Sequence, residues 1–175
     1  YLTLQHAESL ERRSVAGLEA QSFVVDILEP SRRQLLELTM TNGHGWRVEV
    51  SEYGATLLRV LVPDREGLVE NVCLALPDLE AYRSDGAYIG KAIGPVANRM
   101  KDGAFQVDGQ RHEVQTNEGQ HVLHGGAGGL HQCLFSGTIV EGKSGQELEL
   151  QHVLEADKSG YPGTLSIKVV IRWGA

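Results

Sequence analysis

Residues 88–126 read YIGKAIGPVANRMKDGAFQVDGQRHEVQTNEGQHVLHGG. At the centre of this stretch stand Asp108 and Gly109. Such a pair accepts positive φ at both central positions of a tight turn, so it marks a two-residue β-hairpin. Phe105-Gln106-Val107 and Arg111 to Val114 are its arms. On either side lie Asn98-Arg99 and His124-Gly125-Gly126. An arginine offers a planar fork of donors. A neutral imidazole donates or accepts near pH 7. Two glycines after the histidine let a ligand approach the backbone. Fixed cation, imidazole and bare backbone in one short segment are the parts of a site for a neutral polar ligand.

The period-two pattern extends outward. Residues 34–40, QLLELTM, read as a strand, Asn42-Gly43 as a turn, and Trp46 to Val50 as the returning strand. Ala55 to Val62 is a further strand, closed by Pro63 to Gly67, and Val69 to Leu74 another. Asp78 to Arg83 has the look of one helical turn. Downstream, 138–141 and 147–154 form a hairpin, and Leu165 to Trp173 alternates with Leu165, Ile167, Val169 and Ile171 on one face. Residues 1–34 are the least interpretable: 9–21 is weakly helical and FVVDIL at 23–28 strand-like. Many short strands joined by glycine-rich turns predict an all-β, mainly antiparallel β-sandwich. No 10–15-residue amphipathic helix separates the strands, which excludes a βαβ reading.

One domain is the natural count for 175 residues. Net charge is −7, so no basic surface for nucleic acid is expected. No run of about 18 apolar residues crosses a membrane. No signal-peptide pattern stands at the start, so a cytoplasmic location is expected. Cys73 and Cys133 sit among apolar residues and read as buried free thiols.

Competing motifs are weaker. His121, His124 and His131 do not follow a zinc-ligand spacing, and no metal is expected. His6, His44, His112 and His152 read as surface residues. Gly137 to Ser144, GTIVEGKS, fits the phosphate-loop formula. That motif needs a strand before it and a helix after it, whereas Thr138-Ile139-Val140 is strand-like and 146–154 alternates. No G-x-S-x-G supports a serine nucleophile. DKSGYPG at 157–163 is a Gly/Pro turn.

Taken in order, ANRM, Phe105, Asp108-Gly109, Asn117 and LHGG resemble the ANRI…F…DG…N…LHGG pattern of the aldose 1-epimerase (galactose mutarotase) family. Tyr53-Gly54-Ala55-Thr56, Val62 to Gly67 and the GYPG turn extend the resemblance from about Leu35 to Trp173. It implies a large, supersandwich-like β-sandwich, present here in its N-terminal half only. It implies interconversion of the α and β anomers of free hexoses, galactose or glucose, without a cofactor. A general base takes the anomeric hydroxyl proton while a general acid protonates the ring oxygen. By resemblance Asn98, Arg99 and His124 bind the sugar and His124 takes part in catalysis. The family's acid, a second histidine on a later strand, and its base, a late glutamate, have no counterpart in residues 1–175. Pro95 stands where many members carry arginine. Two alternatives stay open: a noncatalytic sugar-binding or interaction module, and a relative of hexose-6-phosphate 1-epimerases. An unpaired edge at 165–173 would favour a homodimer.

Overall fold

The computed structural model describes residues 13–15, 18–20, 37–42, 44–142, 145–156 and 158–172. Its main body is antiparallel β. The strands are β1 (Arg13–Val15), β2 (Leu18–Ala20), β3 (Glu37–Thr41), β4 (Arg47–Ser51), β5 (Thr56–Pro63), β6 (Val69–Asn71), β7 (Arg99–Met100), β8 (Ala104–Val107), β9 (Gln110–Glu113), β10 (Val122–Leu123), β11 (Ser136–Gly142), β12 (Gly145–Leu154) and β13 (Leu165–Arg172). A single short α-helix, α1 (Leu79–Arg83), is described, besides 3-10 turns at Lys101–Gly103, Gly126–Gly128 and Leu130–Gln132.

Two sheets carry the core. One has the order β3-β4-β5-β6, the other β11-β12-β13. Alternation decides which side chains turn inward. Leu38 and Met40 of β3, Val48 and Val50 of β4, and Leu148 and Leu150 of β12 are buried in one cluster with Phe135 and Leu130. Ile167, Val169 and Ile171 of β13 pack against it, as their shared face predicts. This is the face-to-face packing of a β-sandwich. β12 is paired on both sides, whereas β13 is an edge among the described residues.

The second, smaller cluster underlies the quoted stretch. Val114, Val122 and Tyr161 are buried together, with Met100 and Phe105 against them. The hairpin β8–β9 forms around Asp108 (φ 51) and Gly109 (φ 81). The GYPG turn does more than reverse the chain: Tyr161 is 5% exposed and its ring lies 5.6 Å from that of Phe105.

Several expectations shift. The weak helical pattern of 9–21 gives way, where described, to β1 paired with β2. Ser14 and Val15 are indifferent helix formers, so a ladder competes easily. The remainder of that segment and 23–28 lie outside the described residues. The strand expected over 69–74 ends at Asn71. The Asn71 side chain takes the Val60 and Cys73 amides on Oδ1, at 3.1 and 3.0 Å, and so turns the chain away. Leu74 beyond it is 75% exposed. The short helix is as expected, capped by Asp78 Oδ1 accepting from the Ala81 amide. Both cysteines are free but only half-buried.

Candidate functional site

Two very short strands, far apart in sequence, hold the site together. β7 pairs antiparallel with β10, Leu123 opposite Arg99 and Val122 opposite Met100. The ladder continues by one residue through side-chain substitution. The His124 amide donates to the Asn98 carbonyl at 3.1 Å. The Asn98 amide donates to His124 Nδ1 at 3.0 Å. Asn98 and His124 thus exchange a reciprocal pair of bonds, and Arg99 emerges beside them.

That second bond sets the chemistry of the imidazole. A neutral ring carries one proton, and Nδ1 is here an acceptor. The proton therefore sits on Nε2, and His124 presents an N–H donor. His121 repeats the device: the Asp102 amide donates to its Nδ1 at 3.1 Å.

The connecting loop is bracketed by Asn117. Its side chain accepts from the Leu123 amide at 2.7 Å and donates to the Leu123 carbonyl at 3.0 Å, as a strand neighbour would. Glu118 and His121 then close a tight turn, with the His121 amide donating to the Glu118 carbonyl at 2.9 Å. This turn brings the Glu118 carboxylate to Arg99. Arg99 Nε donates to Oε2 at 2.5 Å and Nη2 to Oε1 at 2.7 Å. The Arg99 hydrogen bond, with the Arg99 charge adding to it, holds the Glu118 carboxyl below its ordinary value.

Behind His124 lies an aromatic wall. The Tyr88 ring meets His124 edge-on at 4.7 Å and His131 at 4.8 Å. His131 is 3% exposed, and burial pulls its imidazole below the ordinary value, with the Lys91 charge adding to the shift. Its Nδ1 makes no hydrogen bond, while Nε2 lies 2.9 Å from Gln132 Nε2. Lys91 is also buried, donating from Nζ to the Tyr82 carbonyl at 2.5 Å. The backbone is held tightly here: Tyr88, Asn98 and His124 have φ of 58°, 64° and 54°. Left-handed backbone at side-chain-bearing residues is sparsely populated and clusters where geometry is imposed by function.

Asn98, Arg99 and His124, singled out from sequence, thus stand together. Two neighbours were not: Tyr88 and Glu118. The usable signal for Glu118 was its place in the loop that delivers His124. His112 and His152 are not plain surface residues either, since their rings lie 5.4 Å from Phe105 and 5.3 Å from Phe135. No group of three or more His, Cys, Asp or Glu residues is placed to hold a metal among the described residues. Within GTIVEGKS, 137–142 is strand and Gly145 opens the next strand, so the helix that a phosphate loop requires is replaced by β12. No helix among the described residues is long and apolar enough to cross a membrane.

The family model described as Aldose 1-epimerase matches residues 37–174. Galactose mutarotase of Bos taurus is 32% identical over 124 residues, covering 71% of this chain and 35% of that protein. Aldose 1-epimerase of Escherichia coli K12 is 30% identical over 145 residues, covering 83% of this chain and 41% of that protein. The chain therefore spans well under half the length of these relatives. Among solved structures, galactose 1-epimerase from Lactobacillus acidophilus NCFM superposes with a TM-score of 0.69 at 26% identity, over 86% of this chain and 44% of that one. The aldose epimerase homologue from C. elegans gives 0.69 at 27% identity, over 78% and 41%. With a family match that takes in both sheets and the whole Asn98–His124 cluster, this chain belongs to the aldose 1-epimerase family.

Proposed function

We propose that the cluster binds a free aldohexose, galactose or glucose, and serves aldose 1-epimerase chemistry without a cofactor. One observation carries the reading: the β7–β10 ladder brings two donor residues to neighbouring rungs, the exposed Arg99 opposite Leu123 and the half-buried His124, with its Nε2–H, opposite Asn98. A sugar ring oxygen is an acceptor and gains negative charge as the ring opens. Two donors fixed by the fold would stabilise that charge without reorganising. Asn98 serves by orienting His124 through its backbone and adds its own polar side chain at the rim.

Opening the ring also needs a base for the anomeric hydroxyl proton and an acid for the ring oxygen. Glu118 is the carboxylate nearest these donors, and its pairing with Arg99 favours the ionised form, which makes it a weak base. This favours a second reading, a noncatalytic sugar-binding module. A full enzymatic rate in polarimetry on fresh α-galactose would sink the module reading.

Binding is tested by titrating galactose into the chain and into Arg99→Ala and His124→Ala. Each variant removes one charged or imidazole hydrogen bond and should weaken binding by about tenfold or more. Equal affinity in all three proteins would sink the site assignment.

A further inference from the structure

We propose that Glu118 is a positioning residue that locks the Arg99 guanidinium side-on and aims its free fork at the ligand. The proposal rests on the sugar-binding reading above and deepens it.

The pairing uses one edge of the guanidinium. Nε and Nη2 donate to the two carboxylate oxygens at 2.5 and 2.7 Å. A guanidinium has five donors in a rigid plane, so the two hydrogens on Nη1 and the second on Nη2 remain free. That remaining edge is the end-on fork suited to a ligand oxygen. A carboxylate bound end-on would have occupied it. Glu118 therefore orients Arg99 without competing for the same donors.

The Glu118 backbone is fixed independently. Asn117, its neighbour, is tied to Leu123 through both ends of its amide. Leu123 is the residue opposite Arg99 in the ladder. Glu118 and Arg99 are thus referred to the same two strands. The pair is solvent-exposed, 57% for the arginine side chain and 37% for the glutamate. Exposed ion pairs do little for stability. A bidentate one does fix direction, because two parallel bonds define the plane of the guanidinium. An unclamped arginine would have to be ordered by each incoming ligand, and that ordering cost falls on affinity.

The test uses D-galactose as probe on the chain and on Glu118→Ala and Glu118→Gln. The urea midpoint should barely move in either variant. Glu118→Ala should weaken galactose binding by about two- to tenfold, the cost of freezing one mobile side chain. Glu118→Gln keeps an acceptor oxygen and should recover part of the loss. A spectroscopic readout stands apart from sugar: the Arg99 Nε–H resonance should be shifted and slow to exchange, and lose both properties in Glu118→Ala. Unchanged affinity in Glu118→Ala, with galactose still bound, overturns the positioning role alone. Tighter binding overturns it too, since Glu118 would then be competing for the fork. An Arg99 Nε–H signal indifferent to Glu118→Ala removes the clamp itself. No galactose binding by the unaltered chain removes the sugar reading and this role with it.

Discussion

Gly125 couples the fold to the site, and replacing it with alanine should damage both. It follows His124 in a left-handed run, with φ of 54°, 88° and 78° at His124, Gly125 and Gly126. A Cβ built on Gly125 would lie 2.0 Å from the Gly94 carbonyl oxygen and 3.1 Å from Gly129 Cα. Real Cβ atoms essentially never come within 3.0 Å of another heavy atom, so at least ~1 Å must open between the Gly94 and Gly125 segments. Both neighbours are backbone and cannot swing aside. The Gly94 carbonyl also accepts from the Leu130 amide at 3.0 Å, a bond that the opening would stretch beyond use. Left-handed alanine costs about 1–2 kcal/mol. Overpacking adds about 1–3 kcal/mol and the lost bond about 0.5–1.5 kcal/mol. Gly125→Ala should therefore lower stability by about 3–6 kcal/mol.

Gly109 supplies the control. Its φ is 81°, yet nothing lies within 4 Å of its built Cβ. Gly109→Ala should lose only the conformational term, about 1–2 kcal/mol. Urea unfolding followed by circular dichroism measures both. Under conditions where Gly125→Ala stays folded, galactose titration should also show weakened binding, because His124 shifts against Asn98. If the two variants fell within about 1 kcal/mol of each other, the backbone-on-backbone contact would not be what fixes His124.

Two further outcomes are expected. His131 is held neutral by burial, so its native pKa lies below the unfolded value of about 6.5. Between those two values the unfolded chain binds the extra proton, so stability is full above pH ~6.5 and falls as pH drops toward the native pKa. Melting temperatures scanned downward from pH 8 should decline across that window, and His131→Phe should flatten that part of the curve; an identical slope in the variant would show that another group is responsible. The second concerns rate. Polarimetry of fresh α-galactose with this chain should show little acceleration of mutarotation; a full enzymatic rate would mean that Glu118 or another carboxylate of this chain acts as base.

What could be read from the chain was what local pattern encodes. Asp108-Gly109 announced its hairpin because the turn chemistry lies in two adjacent residues. Leu165 to Ile171 announced a one-sided strand because alternation is a property of the strand itself. The β7–β10 ladder gave no such sign. Neither Arg99-Met100 nor Val122-Leu123 is long enough to show a period. Their pairing is made by contacts more than twenty positions apart: the Asn98–His124 exchange and the shared burial of Met100 and Val122. The three residues proposed to bind the sugar were found through resemblance to a family pattern, and their geometry came only with the structure. Glu118 stayed hidden for the same reason. Asn117 and Leu123, which shape its turn, lie only six positions apart, but the Arg99 to which the turn delivers it is nineteen positions away, outside any local pattern. The end of β6 failed differently. Val72 and Leu74 continue an apolar pattern, but only half of the next rung forms: the Val72 amide donates to the Val60 carbonyl, whereas the Val60 amide is taken by the Asn71 side chain.

The polarity of the cluster argues for a division of labour within the proposed reaction. Arg99 cannot give up its proton at any ordinary pH. His124, with Nδ1 taken by the Asn98 amide, has only Nε2 to offer, and offers it as a donor. Both groups therefore suit an oxygen that is becoming negative. The anomeric hydroxyl makes the opposite demand, since its proton must be accepted. Glu118 is the carboxylate at hand, yet its Arg99 pairing stabilises the ionised form and lowers its pull on a proton. A good base needs a carboxylate whose pKa is raised by burial or by a like charge. The same bidentate bond that makes Glu118 useful for aiming Arg99 thus unfits it for catalysis. Within the proposed reaction, the anomeric proton is therefore accepted by a group other than Arg99, His124 and Glu118.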